Sequence, residues 1–288
     1  GTVADLYKRV RVGVTPGTFV VGDDKVMDYV AVSPKVFLGG PTPVSGEMPD
    51  NLRTLNLIPI AEPYTSLSGF THVGRGGGEN VTSNAIFNQL TGNGTQDDIV
   101  DWGFVELRSP ASTVISTKSV LIQRDGDIVE TDMSSVKFRG HNAGNYSFAF
   151  RHRNHLGIAT SSAIALTSSP TVLNFTDGSA ATFGTNAQRN LAGVRMLWPG
   201  NAKVDGFVRF SGTDNDADLI KNSIISQPGN PFGSLTYSYT AYNVLDINLD
   251  GSIKFSGTSN DKDIIKNNVI ANTSNTFSYL TYTNNQKF

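Results

Sequence analysis

The sequence predicts a mainly β chain: an antiparallel β-sandwich followed by a small pair of acidic-loop repeats. Three observations carry that expectation. The first two thirds are short β-branched or aromatic runs separated by turn residues, and the last third repeats itself at a fixed offset. The composition is that of strands and turns, 38% hydrophobic and 17% charged, with 29 glycines among 288 residues.

Residues 10–14 (VRVGV) and 19–22 (FVVG) open the series as N-terminal strands of, or leading into, the sandwich. YVAVSPKVFL (29–38), IVDWGFVELR (99–108), TVISTKSVLIQ (113–123), DIVETD (127–132), SVKFRG (135–140), NYSFAFRHR (145–153), SSAIALT (161–167) and TVLNFTD (171–177) follow. Asp125-Gly126 predicts a tight hairpin of type I′, which needs positive φ at both central residues. In NYSFAF, Tyr146, Phe148 and Phe150 alternate with Ser147 and Ala149, the pattern of a strand with one face in a core. Residues 39–98 are irregular; SNAIFNQL (83–90) predicts a short helix and GRGGGEN (74–80) a flexible surface loop, since it lacks the Lys-Ser/Thr of a phosphate-binding loop. The expected division is residues 1–35 as N-terminal strands, 36–197 as the sandwich, and 198–288 as two repeats, 198–242 and 243–288.

Residues 201–238 align with 246–283 at 18 of 38 positions. Each repeat carries an acidic loop and then a helical pattern, DADLIKNSII or DKDIIKNNVI. In the second, Asp246, Asn248 and Asp250 stand at positions 1, 3 and 5 of an EF-hand-like loop, Gly251 makes its turn, and Ser252 offers a backbone carbonyl at position 7. Gly257 stands at the twelfth position, where an acid is required. Asn260 reads as a helix N-cap, which moves the closing carboxylate to Asp263, with Asp261 as the other candidate. Ile253 is expected to pack in a short β-bridge between paired loops. Calcium is thus the expected, structural cofactor. The first repeat offers Asn201, Asp205, Asp216 and Asp218, but Lys203 replaces Asn248's counterpart and puts an ammonium where an ion would sit.

His152 and His155 lie in RHRNHLG. A zinc site and a metal-dependent hydrolase are one reading of that pair, set against a hydrogen-bonded corner in which Arg151 and Arg153 pair with Asp101 or Glu106. Trp198 precedes the first loop. It is expected to pack the repeats against the sandwich, with a ligand-stacking platform as the alternative. A formal net charge of −2 and no basic, aromatic-interleaved cluster argue against nucleic acid. The absence of cysteine excludes disulfides and thiolate chemistry, and no apolar run is long enough for a transmembrane helix.

The paired loops resemble dockerin repeats. VSPKVFLGG (32–40), LIPIAEPYTSLSGFTHVG (57–74), LIQRDGDIVETD (121–132), FRHRNHLGI (150–158) and GTNAQ (184–188), with the closing loops, resemble a C-terminal module of Bacteroidota cell-surface and secreted proteins. That resemblance implies a non-enzymatic module of an exported protein, secreted or held on the outer face of the outer membrane, in adhesion or as cargo of type IX secretion. It implies a surface glycan, the secretion machinery or another surface protein as partner; a dockerin-like or glycan-binding role is the alternative.

Overall fold

The computed structural model describes residues 28–87, 95–286 and 288, together with the backbone of 10–11 and 20–21. Strands β1 (Val10–Arg11) and β2 (Val20–Val21) form an antiparallel ribbon; the rest of those two expected strands lies outside the described residues. β3 (Tyr29–Lys35) is followed by a single helical turn, α1 (Asn51–Thr54), and a 3₁₀ turn, Asn84–Phe87. The latter stands where the short helix was expected, whose remaining residues lie outside the described set.

The chain then lays down β4 (Ile99–Arg108), β5 (Val114–Gln123), β6 (Ile128–Val129), β7 (Val136–Arg139), β8 (Gly144–His152), β9 (His155–Ala159), β10 (Ile164–Leu166) and β11 (Thr171–Asn174). They form two sheets. One runs β10-β8-β4-β5-β6 with β9 also paired to β8; the other runs β11-β3-β7. Pairing is antiparallel except β11 with β3, which is parallel. The molecule is therefore mainly β, with several antiparallel sheets, an arrangement compatible with a β-sandwich.

Two expectations are corrected here. Gly126 has φ +94° but Asp125 does not have positive φ, so the β5–β6 turn is not type I′. Strand β8 does not alternate between core and solvent, because Ser147 and Ala149 are buried along with Phe148 and Phe150. The irregular segment before β4 supplies the extra cover. Tyr64 and Phe70 pack on Phe104 at 5.3 and 5.2 Å between ring centroids, Tyr64 donates to the Trp102 carbonyl, and Trp102 donates to the carbonyl of Pro59. With apolar cover on both sides, all ten residues of β4 are buried.

A hairpin, β12 (Arg189–Leu191) and β13 (Val194–Met196), leads to the repeats. These comprise β14 (Phe207–Arg209), α2 (Asp216–Ile225), β15 (Ser238–Thr240), β16 (Ser252–Lys254), α3 (Asp261–Ala271) and β17 (Thr283–Asn285). The loop strands do not pair with each other, as the Ile253 bridge was expected to do. Instead β14 pairs with β17 and β15 with β16, so each loop is stitched to the tail of the other repeat. Ser211 donates to the Leu280 carbonyl and Ser256 to that of Leu235, a matching pair of bonds. Two apolar cores result. One gathers residues from Val30 to Leu197 plus Leu249; the other gathers Trp198, Val208, Ile220, Ile253, Ile265 and their neighbours, plus Leu156 from β9. Leu156 and Leu249 each cross to the opposite core and lock the two parts together.

Candidate functional site

The two acidic loops share one backbone. Val204 and Leu249 take φ of +59° and +56°, and Gly206 and Gly251 take +81° and +82°. A β-branched residue in the left-handed region is held there only by its surroundings. Asn215 and Asn260 cap the helices, accepting from the amides of Asp218 and Asp263 at 2.8 and 2.9 Å and donating back to their carboxylates. That hydrogen bond from asparagine holds both carboxyls below the usual range. Asp263 and Asp218 are thus solvent-facing cap residues and close neither loop, which corrects the capping argument.

The closing carboxylate is the first helical residue. Asp261 is fully buried; its Oδ1 accepts from the amides of Ile247 (2.7 Å) and Asn248 (3.4 Å), its Oδ2 from that of Lys254 (2.8 Å). Asp216 does the same for Lys203 (3.0 Å) and Arg209 (2.8 Å). Across loop two, Asp246 accepts from the amides of Asp250 (3.1 Å) and Gly251 (2.9 Å), and Asp250 accepts from that of Ser252 at 2.8 Å and from the Asn248 side chain at 2.9 Å. Burial pushes Asp261 up to about 8, with the charge of Asp246 adding to it, and pushes Asp246 up to about 6. Asp216 rises to about 7, also chiefly by burial.

Loop one is chemically different. Asn201 accepts from the Asp205 and Gly206 amides, as Asp246 does, but carries no charge. The Lys203 ammonium turns outward to Asp214 at 3.1 Å, so it does not take an ion's place; Arg209 neutralises Asp205 at 2.8 Å instead. Those pairings leave Asn201, Asp205, Asp216 and Asp218 a poor fit for a divalent cation. Loop two fits by donor type, with two buried carboxylates, Asn248, Asp250 and one ammonium, Lys254, 3.5 Å from Asp250. Single oxygens of Asp246, Asp250 and Asp261 do not all lie within 4.8 Å of one another.

The RHRNHLG turn fastens both loops to the sheet. Asp101 is fully buried and accepts from Arg153 (2.9 Å), His152 Nε2 (3.1 Å), the Tyr242 hydroxyl (2.6 Å) and the Trp102 amide (2.8 Å). Arg153 beside it, together with these hydrogen bonds, outweighs burial and holds the Asp101 carboxyl down at about 2. Arg153 lies over the Tyr242 ring and donates to the Asn243 carbonyl. Arg151 pairs with Glu106 at 3.2 Å, so both arginines find the carboxylates expected of them. His155 Nε2 accepts from the Gly40 amide at 3.0 Å, which puts its proton on Nδ1, shared between His152 Nδ1 (3.0 Å) and Asn154 Oδ1 (2.8 Å). All four ring nitrogens are committed, and burial keeps both imidazoles neutral by lowering their pKa values. No nitrogen is left for zinc, so the hydrolase reading loses its residues. Asn154, also fully buried, accepts from the Asn201 amide through its carbonyl (3.0 Å) and donates to the Asp246 carbonyl (2.6 Å). One residue thus touches the first position of both loops, loop one through its backbone carbonyl and loop two through its side chain, a role the sequence reading missed.

Trp198 is 3% exposed, donates to the Asn186 carbonyl, and belongs to the second core. A covered ring cannot stack on a ligand, which overturns the platform reading and leaves the packing one. A cavity of about 350 Å³ opens between β8, β9 and loop one, reached by Arg108, Arg151, Asn201 and Asp205. Among the described residues no helix is long and apolar enough to cross a membrane. No family model, curated protein or solved structure matches the chain.

Proposed function

We propose that the chain is a non-enzymatic, calcium-fastened module of an exported bacterial surface or secreted protein. The observation that carries the calcium reading is the burial of Asp246 and Asp261 in one loop, where burial and the charge of Asp246 oppose ionisation of Asp261. A hard divalent cation relieves that opposition and prefers such oxygen donors. The residues that would hold it are Asp246, Asn248, Asp250, Asp261 and the Ser252 carbonyl. Calcium there has a structural task, since the repeat pair has only a small core of its own. The exported, surface-attached setting, with a glycan, the secretion machinery or a surface protein as partner, rests on the resemblance of the sequence blocks alone.

A second reading, recognition of a partner by the repeats, is favoured by one feature. Phe232 and Phe277 occupy the same place in the two copies and are 95% and 76% exposed. Duplicated, uncovered aromatics suit a binding surface better than a core. The test of the calcium reading is a melting-temperature titration with calcium of the unmutated chain and of Asp250→Ala. Stabilisation confined to the unmutated chain supports it; no calcium-dependent shift in that chain sinks it.

A further inference from the structure

A second set of metal-ligating side chains converges outside the repeats, on the glycine-rich segment. Glu62, His72 and Glu79 each place one ligand atom within 4.8 Å of the other two; among the described residues no other three His or carboxylate groups do so. The fold builds this convergence. Ala61 bridges Asn80 in antiparallel fashion and the Glu62 amide donates to the Glu79 carbonyl at 3.0 Å, which sets the two glutamates side by side. His72 sits on the Phe104 ring, 5.1 Å between centroids, with Nδ1 3.2 Å from the Thr117 hydroxyl.

The intervening loop is not loose. A Cβ on Gly76 would meet the Thr117 carbonyl oxygen at 2.1 Å, and one on Gly77, whose φ is +98°, would meet the His72 ring at 3.0 Å. The glycines are there because the backbone lies flat against β5 and the imidazole.

His72 Nε2 is buried and has no hydrogen-bond partner. It stands 3.6 Å from Glu62 Oε2, beyond hydrogen-bonding range. Two ligands on one tetrahedral zinc, with bonds of about 2.0–2.2 Å, lie roughly 3.3–3.5 Å apart. The gap is close to that of two atoms sharing an ion. Glu62 is 98% buried by its side chain, and its Oε2 already accepts from the Tyr64 and Thr65 amides and from Ser119 Oγ at 3.1 Å. The Ser119 hydroxyl is the donor that can rotate away when an ion arrives. The Glu79 carboxylate accepts from the Gly77 amide, at 3.2 and 3.1 Å to its two oxygens.

We propose that Glu62, His72 and Glu79 bind one divalent ion of the zinc class, with a fourth position for water. An imidazole with two carboxylates suits such an ion, whereas calcium takes oxygen donors almost exclusively. The ion clamps the 74–80 loop onto β5, and it is independent of the calcium loops some distance along the chain.

The test uses the full chain, stripped with chelator and then saturated with calcium, so that failure of the calcium reading leaves this result legible. Zinc is titrated calorimetrically, and cobalt(II) is added separately for its visible spectrum. One zinc per chain is expected, with a tetrahedral cobalt spectrum. His72→Gln and Glu79→Gln each weaken binding about tenfold or more, while Asp246→Asn leaves it unchanged. Glu79→Gln removes only a half-buried group, and circular dichroism checks that it folds. No zinc uptake by the unmutated chain overturns the proposal, as does equal affinity in both folded variants, which marks adventitious surface binding.

Discussion

Raising the pH from 6.5 to 8 in calcium-free buffer is expected to destabilise the chain, and calcium to remove most of that effect. An aspartate in the unfolded chain ionises near pH 4. Asp261 holds its proton up to about 8 and Asp216 up to about 7 when folded. Folded pKa values above the unfolded one mean that the folded state keeps protons the unfolded state has shed, so stability falls as pH rises through that range. His152 and His155 have the opposite sign, being lowered by burial; their contribution is lost as pH falls through the unfolded imidazole value, about 6.5. Starting at pH 6.5 leaves the two imidazoles only a small opposing share, about 0.4 kcal/mol each, as the unfolded chain sheds its last imidazole protons. Each ionising group costs about 1.4 kcal/mol per pH unit. Asp261 contributes over one and a half units, about 2 kcal/mol, and Asp216 over its first half unit, about 0.7 kcal/mol. Urea unfolding at four pH values, in chelator and in saturating calcium, reads both slopes. Calcium bound at loop two would hold Asp261 ionised throughout and should remove its share of the slope. Equal slopes in chelator and calcium, or an unchanged slope in Asp261→Asn, refute the reasoning.

Three substitutions probe the frame around the loops. Asp101→Asn leaves the Arg153 guanidinium buried without its counter-charge and should cost about 3–5 kcal/mol in urea unfolding; a loss below 1 kcal/mol contradicts the network. Asn154→Ala strips the hydrogen bonds on the Val244 and Asp246 carbonyls and should cost about 1–3 kcal/mol while weakening calcium affinity. Gly76→Ala drives a methyl group into the Thr117 carbonyl and should cost about 1–3 kcal/mol, read as a lower melting temperature, without altering calcium binding.

The sequence is most legible where one periodic signal acts alone. β4 falls where its β-branched and aromatic run places it and the two repeat helices fall where their caps do, and the Asn215 and Asn260 caps bond as that pattern requires. The capping argument then failed at its next step, because a carboxylate three residues past a cap serves the cap itself, and burial of Asp261 is a tertiary fact. β9 was hidden inside RHRNHLG, whose charged residues resemble a surface corner until Asp101 and Tyr242 are brought over them. The cover on β4 was illegible for the same reason: residues 39–87 carry no period, only aromatics that find Phe104 once folded. GRGGGEN read as slack, yet its glycines mark a close approach of backbone to strand. Isolated glycine runs do not distinguish those two cases.

The central claim, that loop two and not loop one fastens a cation, is tested most directly by counting calcium ions per chain with native mass spectrometry. One ion is expected for the unmutated chain, none for Asp246→Asn, and one still for Asp205→Asn in the first loop. Two ions on the unmutated chain, none, or one that survives Asp246→Asn would contradict it.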